Sequence, residues 1–243
     1  MNPRILGAVA ARVVMQIRRD PRTLAMLLVL PCALITLLWW MFENTPYFDE
    51  FGPAVLAMFP FIVMFLVTSV TTLRERSGGT LERLLAMPMG KVDFLGGYAV
   101  AFGAVAAIQA ILAVGLSVAV LDLDVQGPVW LLAVVAVVDA VLGTALGLFV
   151  SAFAQTEFQA VQFMPLVVIP QILLCGLFVP TDQLPDALEW VSRVLPLTYA
   201  VDAMQTLTIS TDTGDVWQDL AVLAAYAVVV LVLGAATLRR RTP

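Results

Sequence analysis

Few residues of this chain could do chemistry away from water. Asp139 lies ten residues into the apolar run VWLLAVVAVVDAVLGTALGLFVS. A carboxylate at the centre of a bilayer costs on the order of 2.5–3.5 kcal/mol on insertion scales, so it must face a protein interior or be protonated. It could be a polar contact along a path, or a structural hydrogen bond to a hydroxyl of another span or subunit. A proton relay is the third reading, although no Lys, Arg or His partner shares the membrane with it. Gln162 and Gln171 put amides into a second apolar run, QAVQFMPLVVIPQILLCGLFVP, which Pro165 and Pro170 interrupt. Each proline removes a backbone donor and crowds the preceding turn. The run reads either as an ordinary kinked helix or as one that deforms or lines a substrate path. In the second case Gln171 faces protein or water, because lipid cannot satisfy an amide.

Most enzymatic chemistries are excluded by what is missing. The chain has no histidine and only two cysteines, Cys32 and Cys175, both inside apolar runs. No Cys/His metal spacing can be formed, and the commonest general base is absent. The thiols read as small apolar fillers. No Gly-x4-Gly-Lys-Ser/Thr phosphate loop occurs, so any nucleotide hydrolysis must come from another chain. No cofactor, metal or nucleic acid is expected on this chain.

The elements that position these residues follow from apolar bulk. Of 243 residues 61% are hydrophobic and 13% charged, with a mean hydropathy of +0.96. Soluble domains are about 45–50% apolar and about 25% charged. Runs near the roughly 20 residues that cross 30 Å of hydrocarbon recur along the chain, and lipid forces them to be helices. The expected spans are Thr23 to Phe42, Ala54 to Thr72, Phe94 to Leu121, Val129 to Phe153, Val161 to Val179 and about Leu220 to Leu238. The fold class is an all-α integral membrane protein with six spans. Gly143, Gly147 and Ser151, with Ala140 extending the row, mark a face of the fourth span suited to close helix packing.

The basic residues orient the bundle. Arg4, Arg12, Arg18, Arg19 and Arg22 precede span one, Arg74, Arg76, Arg83 and Lys91 fall between spans two and three, and Arg239, Arg240 and Arg241 follow span six. Six spans place all of these on one face and leave Arg193 alone among many acids on the other. The positive-inside rule then makes both termini cytoplasmic. Residues 1–22 carry an apolar stripe, Ile5, Val9, Val13 and Ile17, among arginines, and no small-residue cleavage site follows. They read as an amphipathic helix in the headgroup plane rather than a signal peptide. Residues 23–243 make the six-span domain. Abundant Ala, Val and Arg with one Lys suggest a GC-rich bacterial gene and hence a bacterial plasma membrane.

Two connections are too long to be simple turns. Residues 74–91 read RERSGGTLERLLAMPMGK. Gly78 and Gly79 break the preceding helix, Thr80 caps a new one, and Leu81, Leu84 and Leu85 share a face that Pro88 ends. The result, about residues 78–90, is either an interfacial anchor or a docking ridge for a cytoplasmic partner. Residues 181–204 suggest two short helices at the external surface, dipping at most into the outer leaflet. Leu184, Leu188, Val191 and Leu195 form their stripe, and Glu189 and Arg193 are i,i+4 partners.

These segments resemble a known family. RERSGGTLERLLAMPMGK at 74–91, SAFAQTEFQAVQFMPLVVIPQILLCGLFVP at 151–180 and LPDALEWVSRVLPLTYAVDAM at 184–204 resemble, in order and spacing, the permeases of ABC-2 type exporters, specifically the daunorubicin-resistance-like drug export branch. The resemblance implies a half-transporter that pairs with a second permease, as homodimer or heterodimer. It implies two separately encoded ABC ATPase subunits, which bind ATP and Mg. Residues 1–22 would be the elbow helix and 78–90 the coupling helix. Gly79, Thr80, Leu81, Glu82, Leu84, Leu85 and Pro88 would make the ATPase contact, with Glu82 its charged member. Ser77 and Gly78 replace the acidic run usual before the glycine. The implied cargo is an amphipathic small molecule, such as a drug, antibiotic or lipid-like compound. A polysaccharide or lipid-linked glycan exporter and, further off, a secondary transporter using Asp139 are the alternatives.

Overall fold

The computed structural model describes residues 3–43, 45, 47–77 and 91–237. Along the described chain run α1 (Pro3–Arg19), α2 (Pro21–Met41), α3 (Tyr47–Ser77), α4 (Lys91–Ala119), α5 (Val129–Ser151) and α6 (Glu157–Leu174). A single 3-10 turn (Thr181–Gln183), α7 (Asp186–Ser192), α8 (Pro196–Ile209) and α9 (Gly214–Thr237) complete it. Six helices, α2, α3, α4, α5, α6 and α9, are long and apolar enough to cross a membrane. The protein is an all-α integral membrane protein with six apolar spanning helices.

Local chemistry sets the helix ends. Asp20 caps α2, its carboxylate accepting from the Arg22 and Thr23 amides (both 3.2 Å) and from the Thr23 hydroxyl (2.6 Å), with Pro21 in the first turn. Thr156 caps α6 by accepting from the Gln159 amide, and the Gln159 side chain accepts in return from the Gln155 amide. Three of the span boundaries that differ from expectation have a local cause. α3 starts at Tyr47 rather than Ala54, because Asp49 and Glu50 suit the positive end of a helix that projects beyond the apolar layer. α6 stops at Leu174 rather than Val179, because Gly176 adopts φ +89°, a left-handed conformation that glycine takes without steric cost. α9 starts at Gly214 rather than Leu220, where the Asp212 carboxylate accepts from the Gly214 amide.

The core sits around α5, against which α3, α4, α8 and α9 all pack. Its row of small residues lets two backbones meet. A Cβ on Gly143 would lie 2.5 Å from the Phe61 carbonyl oxygen, and one on Gly147 2.5 Å from that of Phe65. Where lipid is as apolar as leucine, such close packing is a main source of helix association.

The segment after α6 does not stay at the end of the bundle. The Gly127 amide, just before α5, donates to Leu207 near the end of α8 (2.8 Å). At the other end of α8 the Leu197 amide donates to Gln171 of α6 (3.3 Å), and the Tyr226 hydroxyl of α9 donates to the Val194 carbonyl (2.8 Å). Tyr226 lies twelve residues into α9, so the α7–α8 turn descends about 18 Å along the bundle at 1.5 Å per residue. α8 is a half-length helix lodged in the core, with Leu197, Ala200, Val201, Met204 and Leu207 buried. The expected stripe does not seat it: Leu188 and Val191 are exposed and point away from the bundle.

Two outcomes test this account. Gly147→Leu should lower stability by about 1–3 kcal/mol or more through overpacking, while Gly7→Ala, with open space around it, should not. Thermal unfolding in detergent, read by tryptophan fluorescence, separates them. The Thr23 hydroxyl and amide hold the Asp20 carboxyl below the usual carboxylate range. Its capping is therefore complete above the unfolded value of about 3.9 and fades as pH falls through the lowered native value. Hydrogen exchange in the first turn of α2 should quicken relative to that in α5 only below about pH 4.

Candidate functional site

The end of the bundle that carries α1, here the basic end, presents a polar junction. α1 lays Val9, Val13 and Ile17 against the rest of the protein, all buried. Glycines on α4 admit it: a Cβ on Gly97 would come within 2.6 Å of the Val9 side chain, and one on Gly96 within 3.0 Å of Leu6. Beside this seam Arg12 Nη2 donates to both carboxylate oxygens of Glu75 on α3 (3.1 and 3.0 Å), and the Tyr98 hydroxyl of α4 donates to Glu75 Oε2. Glu75 and Tyr98 are buried. A second bridge joins Arg74 Nε and Nη2 to Glu157 at the start of α6 (2.8 and 2.9 Å), with both side chains largely exposed. Sequence reasoning missed Glu75 and Tyr98. One usable signal was an acid between two arginines at the end of an apolar helix.

The coupling residues expected from sequence, Gly79, Thr80, Leu81, Glu82, Leu84, Leu85 and Pro88, lie outside the described residues. In sequence they fall between α3 and α4.

The other predicted residues are dispersed. Asp139 on α5 is fully buried, and neither carboxyl oxygen has a hydrogen-bond partner among the described residues. The expected structural bond to a hydroxyl of another span is therefore not made there. The nearby Thr144 hydroxyl is spent on the Ala140 carbonyl (3.1 Å). Gln171 is buried, donating to the Val167 carbonyl (3.0 Å) and accepting from the Leu197 amide. It thus supplies the N-terminal partner that α8 lacks from its own cap residue, Leu195. Gln162, Pro165 and Pro170 lie on the exposed side of α6. Gln162 borders a cavity of about 330 Å³ with Phe153, Gln155, Gln159, Phe163 and Leu166. No hydrogen bond among the described residues joins any two of Asp139, Gln162, Pro165, Pro170 and Gln171. At the acidic end a second cavity, about 320 Å³, is lined by Glu50, Phe178, Thr181, Asp182, Asp202 and Gln205 among others.

Among the described residues no cluster of His, Cys, Asp and Glu could hold a metal ion. The arrangement offers a packed core, a polar junction at the basic end and a half-length buried helix toward the acidic end. Asp139→Asn should unfold no lower than the parent, since no donor is lost. Gln171→Leu orphans the buried Leu197 amide and should cost about 1–3 kcal/mol. A Gln171→Leu protein as heat-stable as the parent would refute the assignment.

Comparison with known proteins agrees with this architecture. The profile of the ABC-2 type transporter family matches residues 5–208. ABC transporter G family member 20 of Dictyostelium discoideum is 22% identical over 201 residues, 82% of this chain and 28% of that protein. The probable multidrug ABC transporter permease YbhR of Escherichia coli strain K12 is 27% identical over 182 residues, 74% of this chain and 50% of its own. Nodulation protein J of Rhizobium meliloti is 33% identical over 97 residues, 40% of this chain and 37% of its own. The chain spans half or less of the length of each of these relatives. These similarities extend across the family and do not single out its daunorubicin-resistance branch. With the matched region covering α2 to α6 and nearly all of α8, the chain belongs to the ABC-2 type transporter family.

Proposed function

We propose that this permease is the membrane half of an ATP-driven exporter of amphipathic small molecules, whether drug, antibiotic or lipid-like. The basic end faces the cytoplasm of a bacterial cell, so both termini are cytoplasmic. Two separately encoded ATPase subunits bind ATP and Mg and dock at that end through residues 78–90, with Glu82 as the charged contact. A second permease covers the faces left open in this chain, and the two bundles alternate between inward- and outward-open states. The chain contributes a path and a lever, with no chemistry on the cargo.

The observation that carries this reading is the family match across the bundle. It is supported by the sorting of basic residues to one end, where α1 is clasped to α3 and α4. The low internal burial of α2 and α6, 17% of each apolar window, supports pairing with a second copy. The similarity to the Escherichia coli relative, a probable multidrug permease, supports the cargo class.

Coexpression with its separately encoded ABC ATPase partner should yield a complex that survives affinity purification. Glu82→Lys and Leu84→Asp should each abolish recovery of the ATPase while leaving the permease in the membrane. Recovery unaffected by both changes would refute the docking assignment. Failure of the unaltered permease to retain any ATPase would refute the exporter reading itself.

A further inference from the structure

Arg12, Glu75 and Tyr98 belong to three different helices and meet at one carboxylate. Glu75 is 6% exposed, and Arg12 keeps 36% of its side chain in contact with solvent. A buried carboxylate loses its hydration, and only a full set of donors offsets that loss. Here the donors come from α1 on one side and α4 on the other, so the set is complete only in one placement of the three helices. The apolar seam is close where Gly96 and Gly97 meet Leu6 and Val9, and the carboxylate adds a polar condition to the same placement. A buried polar partner set that selects one register is the best-attested use of such groups.

The position of the clasp in the chain gives it a second property. Glu75 stands three residues before residue 78 and Tyr98 eight residues after residue 90. One carboxylate therefore ties together the helix entering the 78–90 connection, the helix leaving it, and α1. The neighbouring Arg74–Glu157 bridge differs in kind. Its side chains are 61% and 50% exposed, and such pairs contribute little.

We propose that Arg12, Glu75 and Tyr98 are positioning residues that make α1 and the basic ends of α3 and α4 move as one body, so that work done by the ATPase reaches the bundle. This rests on the reading of the basic end as the ATPase face. The clasp is required for coupling and dispensable for assembly. Exposed pairs nearby are dispensable for both.

The test uses the full permease with its coexpressed ATPase, reconstituted in Escherichia coli polar lipid vesicles. The quantity read is the change in ATP hydrolysis that the permease imposes on the free ATPase. Glu75→Gln, Tyr98→Phe and Arg12→Gln should each retain the ATPase and reduce that change by about tenfold, within the usual range of coupling between sites. The exchange Arg12→Glu with Glu75→Arg should restore part of it, which a generally damaged fold would not do. Glu157→Gln, the control, should match the parent. A second readout needs no ATPase: Val13→Cys, in a Cys32→Ala, Cys175→Ala background, is alkylated slowly by an impermeant maleimide, and Glu75→Gln should speed this several-fold. If Glu75→Gln fails to accumulate, Tyr98→Phe, which removes one hydroxyl, decides. Parental coupling in Tyr98→Phe and Glu75→Gln overturns the proposal and leaves the exporter reading intact. If the unaltered permease retains no ATPase, the exporter reading fails, and unchanged alkylation in Glu75→Gln then overturns the clasp as well.

Discussion

The structure depends on a contact between two backbones. Along α5 the glycines at 143 and 147 face the carbonyl oxygens of Phe61 and Phe65, with no room for a single added carbon. In water such a contact would be one term among many. Among spanning helices it has few competitors, because burial from lipid gains little and shape complementarity carries the association. Around that axis the rest is arranged: α4 and α9 lean on other faces of α5, and α8 fills its outer half. The central helix can carry a buried acid because it touches protein on nearly every side.

The same economy recurs at both ends of the bundle. At the basic end, glycines at 96 and 97 bring α1 close, and a buried carboxylate fixes where it stops. At the acidic end, Gln171 lends its oxygen to the first turn of α8 and Tyr226 lends its hydroxyl to the preceding turn. Irregular backbone is tolerated inside a membrane only where protein or water satisfies it. Each polar side chain placed in these spans beside a break in helical structure has such a task. Asp139, Gln109 and the hydroxyls of Thr68, Ser69, Thr72 and Ser117 have none among the described residues.

Much of the fold was legible in the sequence because the membrane sorts residues coarsely. Apolar length announced the spans, and the spacing of Gly143 and Gly147 announced the tight seam. Two features were not legible. The descent of α7 and α8 was hidden because Pro196, Arg193 and Glu189 look like surface residues, and only pairing with Gln171 and Tyr226 draws their turn inward. The clasp was hidden because Arg12 and Glu75 are 63 positions apart, and in sequence Glu75 is merely one charge in an alternating run. Local pattern reports which residues can be buried. It does not report which distant residue will meet them.

The half-length of α8 also has an electrical consequence. The six spanning helices alternate in direction, so their peptide dipoles cancel in pairs. α8 has no full-length counterpart, and α7, at half its length, offsets only part of it. A helix carries about half an elementary charge at each end. Ending one midway through the membrane leaves that charge inside the transmembrane field, worth about 0.6 kcal/mol per 100 mV if half the field drops along it. That end of α8 thus carries a partial charge fixed by a backbone ending rather than by any titrating side chain.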